Sequence, residues 1–236
     1  MKFSISILTV LLTGFVLIFS SCEHDPVSEL ISSEERSLAS FHKIEIDGVG
    51  NTQLIPDSEY RIEIITHVDL FDDIITNVID GKLYIDLKGK HKKIQKLEYK
   101  VYAPFYDEIK LDAVGDIYCF DGFEVNHLTV IQKDVGKIDL RNISANSIYA
   151  HLNDVGDILL SGSAADVMYR MDGVGSIHGF NMISQRGEAI LEGVGDIEIH
   201  ATEELILRNS GVGKIYYKGN PQIEIHGNSS GIISID

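Results

Sequence analysis

The second half of this chain states one short phrase seven times: Ala113-Val-Gly-Asp-Ile117, Asp134-Val-Gly-Lys-Ile138, Asp154-Val-Gly-Asp-Ile158, Gly173-Val-Gly-Ser-Ile177, Gly193-Val-Gly-Asp-Ile197, Gly211-Val-Gly-Lys-Ile215 and a worn copy, Ser229-Ser-Gly-Ile-Ile233. Its central glycines, Gly115, Gly136, Gly156, Gly175, Gly195, Gly213 and Gly231, lie 18 to 21 residues apart. A period near 20 is the signature of a solenoid, in which no single copy can bury its apolar face without its neighbours.

The repeat can be registered on both sides of the glycine. Two residues beyond it stand Ile117, Ile138, Ile158, Ile177, Ile197, Ile215 and Ile233, and two further Cys119, Leu140, Leu160, Gly179, Ile199, Tyr217 and Ile235. Eight and six residues upstream come Leu128/Val130, Ile148/Ala150, Val167/Tyr169, Leu205/Leu207 and Ile223/Ile225, with Ile109 and Ala189 at the nearer offset of their copies. Each copy is therefore two alternating strand segments hinged at Val-Gly. Length variation falls in 120–127, 141–147, 161–166, 180–186, 200–204 and 218–222, which read as loops. A coil of this length has a contour of roughly 60 Å, enough for a cross-section filled by side chains alone. The expected fold is all-β: a parallel β-helix of ~20-residue coils, with seven coils over 108–236. The glycines are expected to be structural, at corners where positive φ or close backbone approach excludes a Cβ. A phosphate loop would need a helix after the glycine, and these glycines run into strands.

The residues after the glycines, Asp116, Lys137, Asp157, Ser176, Asp196 and Lys214, read as charge pairing up an exposed column that helps set register. A calcium column would need acids in a nine-residue frame without intervening lysine. A glycosidase pair would need two carboxylates facing each other across a bond, whereas Asp157 and Asp196 would point the same way along one wall. No metal, cofactor or catalytic residue is predicted. The nine histidines are scattered, mostly at surface positions, and His127, His151, His178 and His200 take different offsets from their glycines. An enzyme on this architecture would instead gather acids and bases from three or more coils in one pocket.

The N-terminus gives a cellular address. Lys2, an apolar run from Ile5 to Phe19 and Ser20-Ser21-Cys22 read as a signal peptide over 1–21, too short for a bilayer span. Small residues before the cysteine resemble the lipobox of bacterial lipoproteins, which implies lipidation of Cys22 and anchoring in the outer membrane. Glu23 and Asp25 resemble acidic signals that send some lipoproteins to the outer face. With Cys22 lipidated, Cys119 is the remaining cysteine, read as inert core rather than a disulfide partner or nucleophile. Formal charge is −16 for the whole chain. An acidic surface of this kind disfavours nucleic acid and unassisted binding to anionic lipid. The basic segment Lys88–Lys100 lies between strand-like runs and reads as a solvated hairpin tip.

Residues 22–40 read as a flexible acidic tether, and the domain as 41–236. Within it, 41–107 reads as an N-terminal cap and first coils. Ile44/Ile46, Tyr60–Ile65, Lys82–Leu87 and Leu97–Val101 are strand-like. Leu70, Phe71, Ile74, Ile75 and Val78 share one helical face, with Asp69 as N-cap and Gly81 beyond the end, which predicts one short helix. Gly48-Val49-Gly50 previews the repeat motif. At the other end Ile232, Ile233 and Ile235 lie in the last copy without a polar cap, so this edge is a candidate for pairing between molecules as a homo-oligomer.

The lipobox, the acidic two-part domain and the repeated Val-Gly-Asp-Ile corners resemble the putative auto-transporter adhesin, head GIN domain family, over approximately Phe41 to Tyr217. The Gly-Ile-Asn of the family name is represented by Gly-Asp-Ile or Gly-Lys-Ile. The resemblance implies a β-helical cell-envelope domain associated with adhesion, and it brings no catalytic residues. The leading expectation is an interaction module that presents loops and a flat face to a glycan or a surface protein. The alternatives are a polysaccharide-active β-helix enzyme and a periplasmic scaffold lipoprotein without an external ligand.

Overall fold

A computed structural model describes residues 29–89, 94–227 and 229–235. The repeats form a parallel β-solenoid of about six turns. Strands β8 (Glu108–Cys119) and β9 (Glu124–Lys133) are followed by four that each wind once around the core: β10 (Val135–Leu152), β11 (Val155–Met171), β12 (Val174–Leu191) and β13 (Val194–Asn209). Shorter strands β14 (Ile215–Lys218), β15 (Gln222–Gly227) and β16 (Ile232–Ser234) end the stack. The register is that of the motif: Gly115, Gly136, Gly156, Gly175 and Gly195 pair in turn, as do the isoleucines two residues on. Ile117, Ile138, Ile158, Ile177, Ile197 and Ile215 form one fully buried column, each side chain worth about 1.5–3 kcal/mol of burial.

The glycine column is required by backbone approach. A Cβ built on Gly115, Gly136, Gly156, Gly175, Gly195 or Gly213 would lie 1.7–2.1 Å from the carbonyl oxygen of the glycine one coil before it. Gly115, Gly156, Gly175, Gly195 and Gly213 also hold φ between +135° and +155°, a region closed to other residues. The carbonyl against Gly115 belongs to Gly50, so the Gly48-Val49-Gly50 preview is the first step of the same ladder.

Two expectations change here. The variable stretches within the stack are not loops: the strands run through 141–147, 161–166 and 180–186, and the extra residues are absorbed as register shifts at Leu140/Ile143, Leu159/Ser161 and His178/Ile183. A β-bulge takes up one or more residues and bends the strand, which is what a coil corner needs. The chain instead leaves strand pairing just ahead of the Val-Gly corners, as at Asn153-Asp154 and Asp172-Gly173. The seventh copy is not a full coil. Gly231 lies in a 3-10 turn, and its virtual Cβ meets the Asn209 side chain at 2.5 Å and the Gly213 oxygen only at 3.0 Å. Ile232, not Ile233, takes the place above Ile215.

The N-terminal part is built differently. Strands β2 (Lys43–Val49) and β3 (Asn51–Pro56) form a coil beneath β8. Beyond them β6 (Lys82–Leu87) pairs with β2, and β7 (Leu97–Ala103) with β3. Antiparallel strands then cover both: β5 (Ile74–Ile79) on β6, and β4 (Arg61–His67) with β1 (Ile31–Ser37) on β7. The expected helix is absent among the described residues; Phe71–Asp73 make one 3-10 turn without a side-chain cap, and 74–79 are strand. Ile74, Ile75, Val78 and Ile79 are β-branched, and the turn at Asp80 (φ 51°) and Gly81 (φ 72°) closes a β5–β6 hairpin, so strand pairing overrides a helical spacing that short apolar runs share. The expected tether also shortens, because its residues 31–37 are the edge strand β1. β6 and β7, the strands that flank the basic segment, lie on different branches of the sheet and do not form the expected hairpin, and residues 90–93 lie outside the described residues.

Arg36 on β1 joins the two covering layers. Its guanidinium donates to the Ile74 carbonyl at 2.7 Å, the Phe71 carbonyl at 2.8 Å and Thr76 Oγ1 at 3.1 Å. The β2, β6 and β8 surface carries a second tie: Glu45 accepts from Lys110 at 2.7 Å and Lys82 at 3.3 Å. Burial works to raise the Glu45 pKa, and the two ammonium groups overcome it and hold it low.

A candidate ligand-binding face

Because side chains alternate along a strand, fixing the inward columns also fixes the outward ones. On the segments ahead of the glycines the register places Ser147, Asp166, Arg186, Glu204 and Gln222 in one outward column, and Tyr149, Met168, Glu188, Ile206 and Glu224 in the next. A third holds His151, Arg170, Ile190, Arg208 and His226. Along the first two columns runs an open groove of about 350 Å³, lined by Tyr149, Met168, Gly187 and Ile206 together with Asp166, Arg186, Glu188 and Glu204.

The charged groups of this face are held in place by pairing. Arg186 donates to both oxygens of Asp166 at 2.6 and 2.8 Å, and Arg208 donates to Glu188 at 3.0 Å. Arg170 donates to Asp172 at 3.2 Å and to Glu192. His151 Nε2 lies 3.0 Å from Asp172. Partial burial works to raise the Asp172 pKa, but the hydrogen bonds from His151 and Arg170 hold it below the usual carboxylate range. Burial raises the Tyr149 pKa further above neutrality. The groove thus combines an apolar floor with planar polar groups already oriented. With Asp166 paired to Arg186 and Glu188 to Arg208, Glu204 leaves the groove one charge negative.

The structure brings acids and bases from three coils together here, the arrangement the sequence reading reserved for an enzyme. Their geometry is not that of a glycosidase pair. Asp166 and Glu204 stand in one column with Arg186 between them, pointing outward from one wall rather than facing each other across a bond. Among the described residues no cluster of three or more His, Cys, Asp or Glu could hold a metal ion.

The residues after the glycines act differently from the expected charge pairing. Asn51, Asp116, Asp157 and Asp196 each accept, through the side chain, the backbone N–H of the corresponding residue one coil on: Asp116 at 3.0 Å, Lys137 at 2.9 Å, Ser176 at 3.0 Å and Lys214 at 2.8 Å. Each side-chain oxygen thus supplies an acceptor for a backbone N–H of the next coil. The lysines are placed by their amides. Beside this column stands an exposed ridge that sequence reasoning missed: Val114, Val135, Val155, Val174, Val194 and Val212 are 43–72% exposed. The signal was present in the parity of the motif, since valine is an odd number of residues from the buried isoleucine.

Cys119 is fully buried and free, and burial pushes its thiol pKa up to about 11. His67 is also buried, where its Nε2 accepts the Gln95 N–H at 3.2 Å. Cys22 and the signal-like segment lie outside the described residues.

A family model described as putative auto-transporter adhesin, head GIN domain, matches residues 40–221. The chain belongs to this family. Among solved structures it is similar to a putative adhesin from Bacteroides fragilis, 25% identical with a TM-score of 0.81, over 89% of this chain and 99% of that one. A putative lipid binding protein from Parabacteroides distasonis, 19% identical with a TM-score of 0.69 over 90% and 99%, shares the fold. So does a putative adhesin from Parabacteroides merdae, 22% identical with a TM-score of 0.63 over 90% and 99%. No curated protein matches the chain. The head GIN match spans β2 to β14.

Proposed function

We propose that this head GIN protein is a non-catalytic interaction module of the cell envelope, anchored in the outer membrane through lipidated Cys22 and presenting the groove of β10–β13 to a glycan or a surface protein. The observation that carries the reading is the groove itself: Tyr149, Met168 and Ile206 form an apolar platform among paired carboxylates and arginines. Ring and sulfur faces with fixed polar neighbours are what a sugar or a peptide needs from a binding surface. Family membership and the likeness to the Bacteroides fragilis adhesin support adhesion. The net negative charge of the groove disfavours acidic polysaccharides, so the ligand is neutral or basic.

The test is adherence of cells lacking the protein, complemented with the wild-type chain or with a Tyr149→Ala/Ile206→Asp variant. Restoration by wild type alone is expected; equal restoration by both contradicts the assignment of the groove. Asp166, Arg186, Glu188 and Glu204 come from three coils, so the enzyme alternative that their same-wall geometry disfavours is assayed directly on a neutral polysaccharide. Release of reducing ends from such a glycan, abolished by Glu188→Gln, would establish it in place of the binding reading.

A further inference from the structure

The final strand on the groove face is unlike those before it. β15 pairs with β13 so that Ile223 lies over Leu205 and Ile225 over Leu207. Leu205 and Leu207 are buried core residues, at 1% and 0% exposure, whereas Ile223 and Ile225 are 36% and 43% exposed. They stand in line with core columns but are themselves exposed. Among the described residues no strand pairs with the far edge of β15, which leaves a row of backbone donors and acceptors open.

We infer that a second copy of this chain covers that edge, β15 against β15 in antiparallel register about a two-fold axis at Ile225. The strand is self-complementary over 224–226, and Ile223 falls opposite Gly227 of the second copy. Ile225 meets Ile225 of the second copy, and Glu224 meets its His226, twice by symmetry. Centring one residue earlier would put Glu224 against itself. A register offset by half a step would place isoleucine opposite glutamate on one face, losing the apolar match. Within one chain Glu224 and His226 already pair at 2.7 Å, so association exchanges that contact for one between chains. Pairing extends the β13–β15 sheet from one chain into the other, with β16 still stacked on β14 beside it, and brings two ligand grooves into one assembly, a gain in avidity for tethered molecules.

The experiment is oxidative cross-linking of the full chain carrying Cys22→Ser, in which Cys119 is buried. A cysteine on the axis faces its own copy, within disulfide reach across a strand pair. Ile225→Cys is expected to give covalent dimer about ten-fold faster than Val212→Cys, a more exposed position away from the axis. Sedimentation of uncross-linked chains supplies the second measurement. Glu224→Lys and His226→Glu should each weaken self-association about five-fold, and the double variant should restore it. Equal cross-linking rates at 225 and 212, or a monomer unaffected by the charge exchange, would overturn the inference.

Discussion

The two ends of the molecule close in opposite ways. At the N-terminal end the solenoid is covered by antiparallel strands, and Arg36 ties the covering layers together with three hydrogen bonds. The edge strand there is charged at Glu34, Glu35 and Arg36, a common guard against unwanted pairing. At the C-terminal end all six residues of β15 are exposed, including two isoleucines in core columns. A repeat stack gains its stability from neighbours, so the terminal coil is where a missing neighbour shows. Among the described residues one end is covered by antiparallel strands and the other leaves the far edge of β15 unpaired.

The same contrast separates the N-terminal part from the stack, and substitutions can break it. The largest effect is expected from Gly175→Ala, whose Cβ would sit 1.7 Å from the Gly156 carbonyl at φ +145°. Backbone strain of this kind alone costs about 1–3 kcal/mol, and the clash adds to it, so the variant should lose more than about 3 kcal/mol in urea unfolding. Gly48→Ala in the N-terminal part, whose nearest contact is 3.6 Å, should cost only the strain, about 1–3 kcal/mol. Equal losses would contradict the close-approach account of the ladder.

Arg36→Ala should cost about 2–3 kcal/mol and speed amide exchange in β1 and β5 while leaving β10–β12 protected. Uniform acceleration would show that the cap and stack unfold as one unit. Two buried tyrosines sharpen the comparison further. Tyr106 donates to the Val101 carbonyl at 2.7 Å, so Tyr106→Phe should destabilise by about 1 kcal/mol. The Tyr169 hydroxyl, deep in the stack, has no partner among the described protein atoms, so Tyr169→Phe should be neutral or stabilising by up to about 1 kcal/mol. A destabilised Tyr169→Phe would reveal a buried water on that hydroxyl.

The smallest effect is a pH dependence at Cys119. Its thiol is pushed up from 9.0 to about 11 by burial, so the unfolded state releases its proton first. Stability from this group is intact below pH 9 and falls as pH rises toward 11. At pH 9 the loss is only about 0.4 kcal/mol, measured as the difference between wild type and Cys119→Ala. Iodoacetamide at pH 8 should label the thiol only after unfolding.

The fold was legible wherever the period repeats. The glycine ladder, the isoleucine column and the upstream inward pairs follow from fixed offsets, and stacking turns each offset into a column. Legibility failed where the repeat fades. Ile74 to Ile79 satisfy both a helical face and a strand, and only their pairing with β6 decides. The last copy lost its register because Ser229-Ser-Gly-Ile-Ile233 offers two adjacent isoleucines. The groove was less legible still. Its columns lie on outward positions, where Ser147, Asp166 and Arg186 share no residue type, so periodicity carries no signal. The aspartates after the glycines were visible as charges, but their role as acceptors for the next coil depends on backbone geometry that charge patterning does not report.

The proposed function, an anchored envelope module whose groove meets a ligand outside the cell, is tested most directly by protease treatment of intact cells expressing a C-terminally tagged chain, with Cys22→Ala as the unanchored control. Loss of the tag from whole cells, with the Cys22→Ala chain no longer held at the surface, is the predicted result. Protection of the tag until the outer membrane is permeabilised would contradict it.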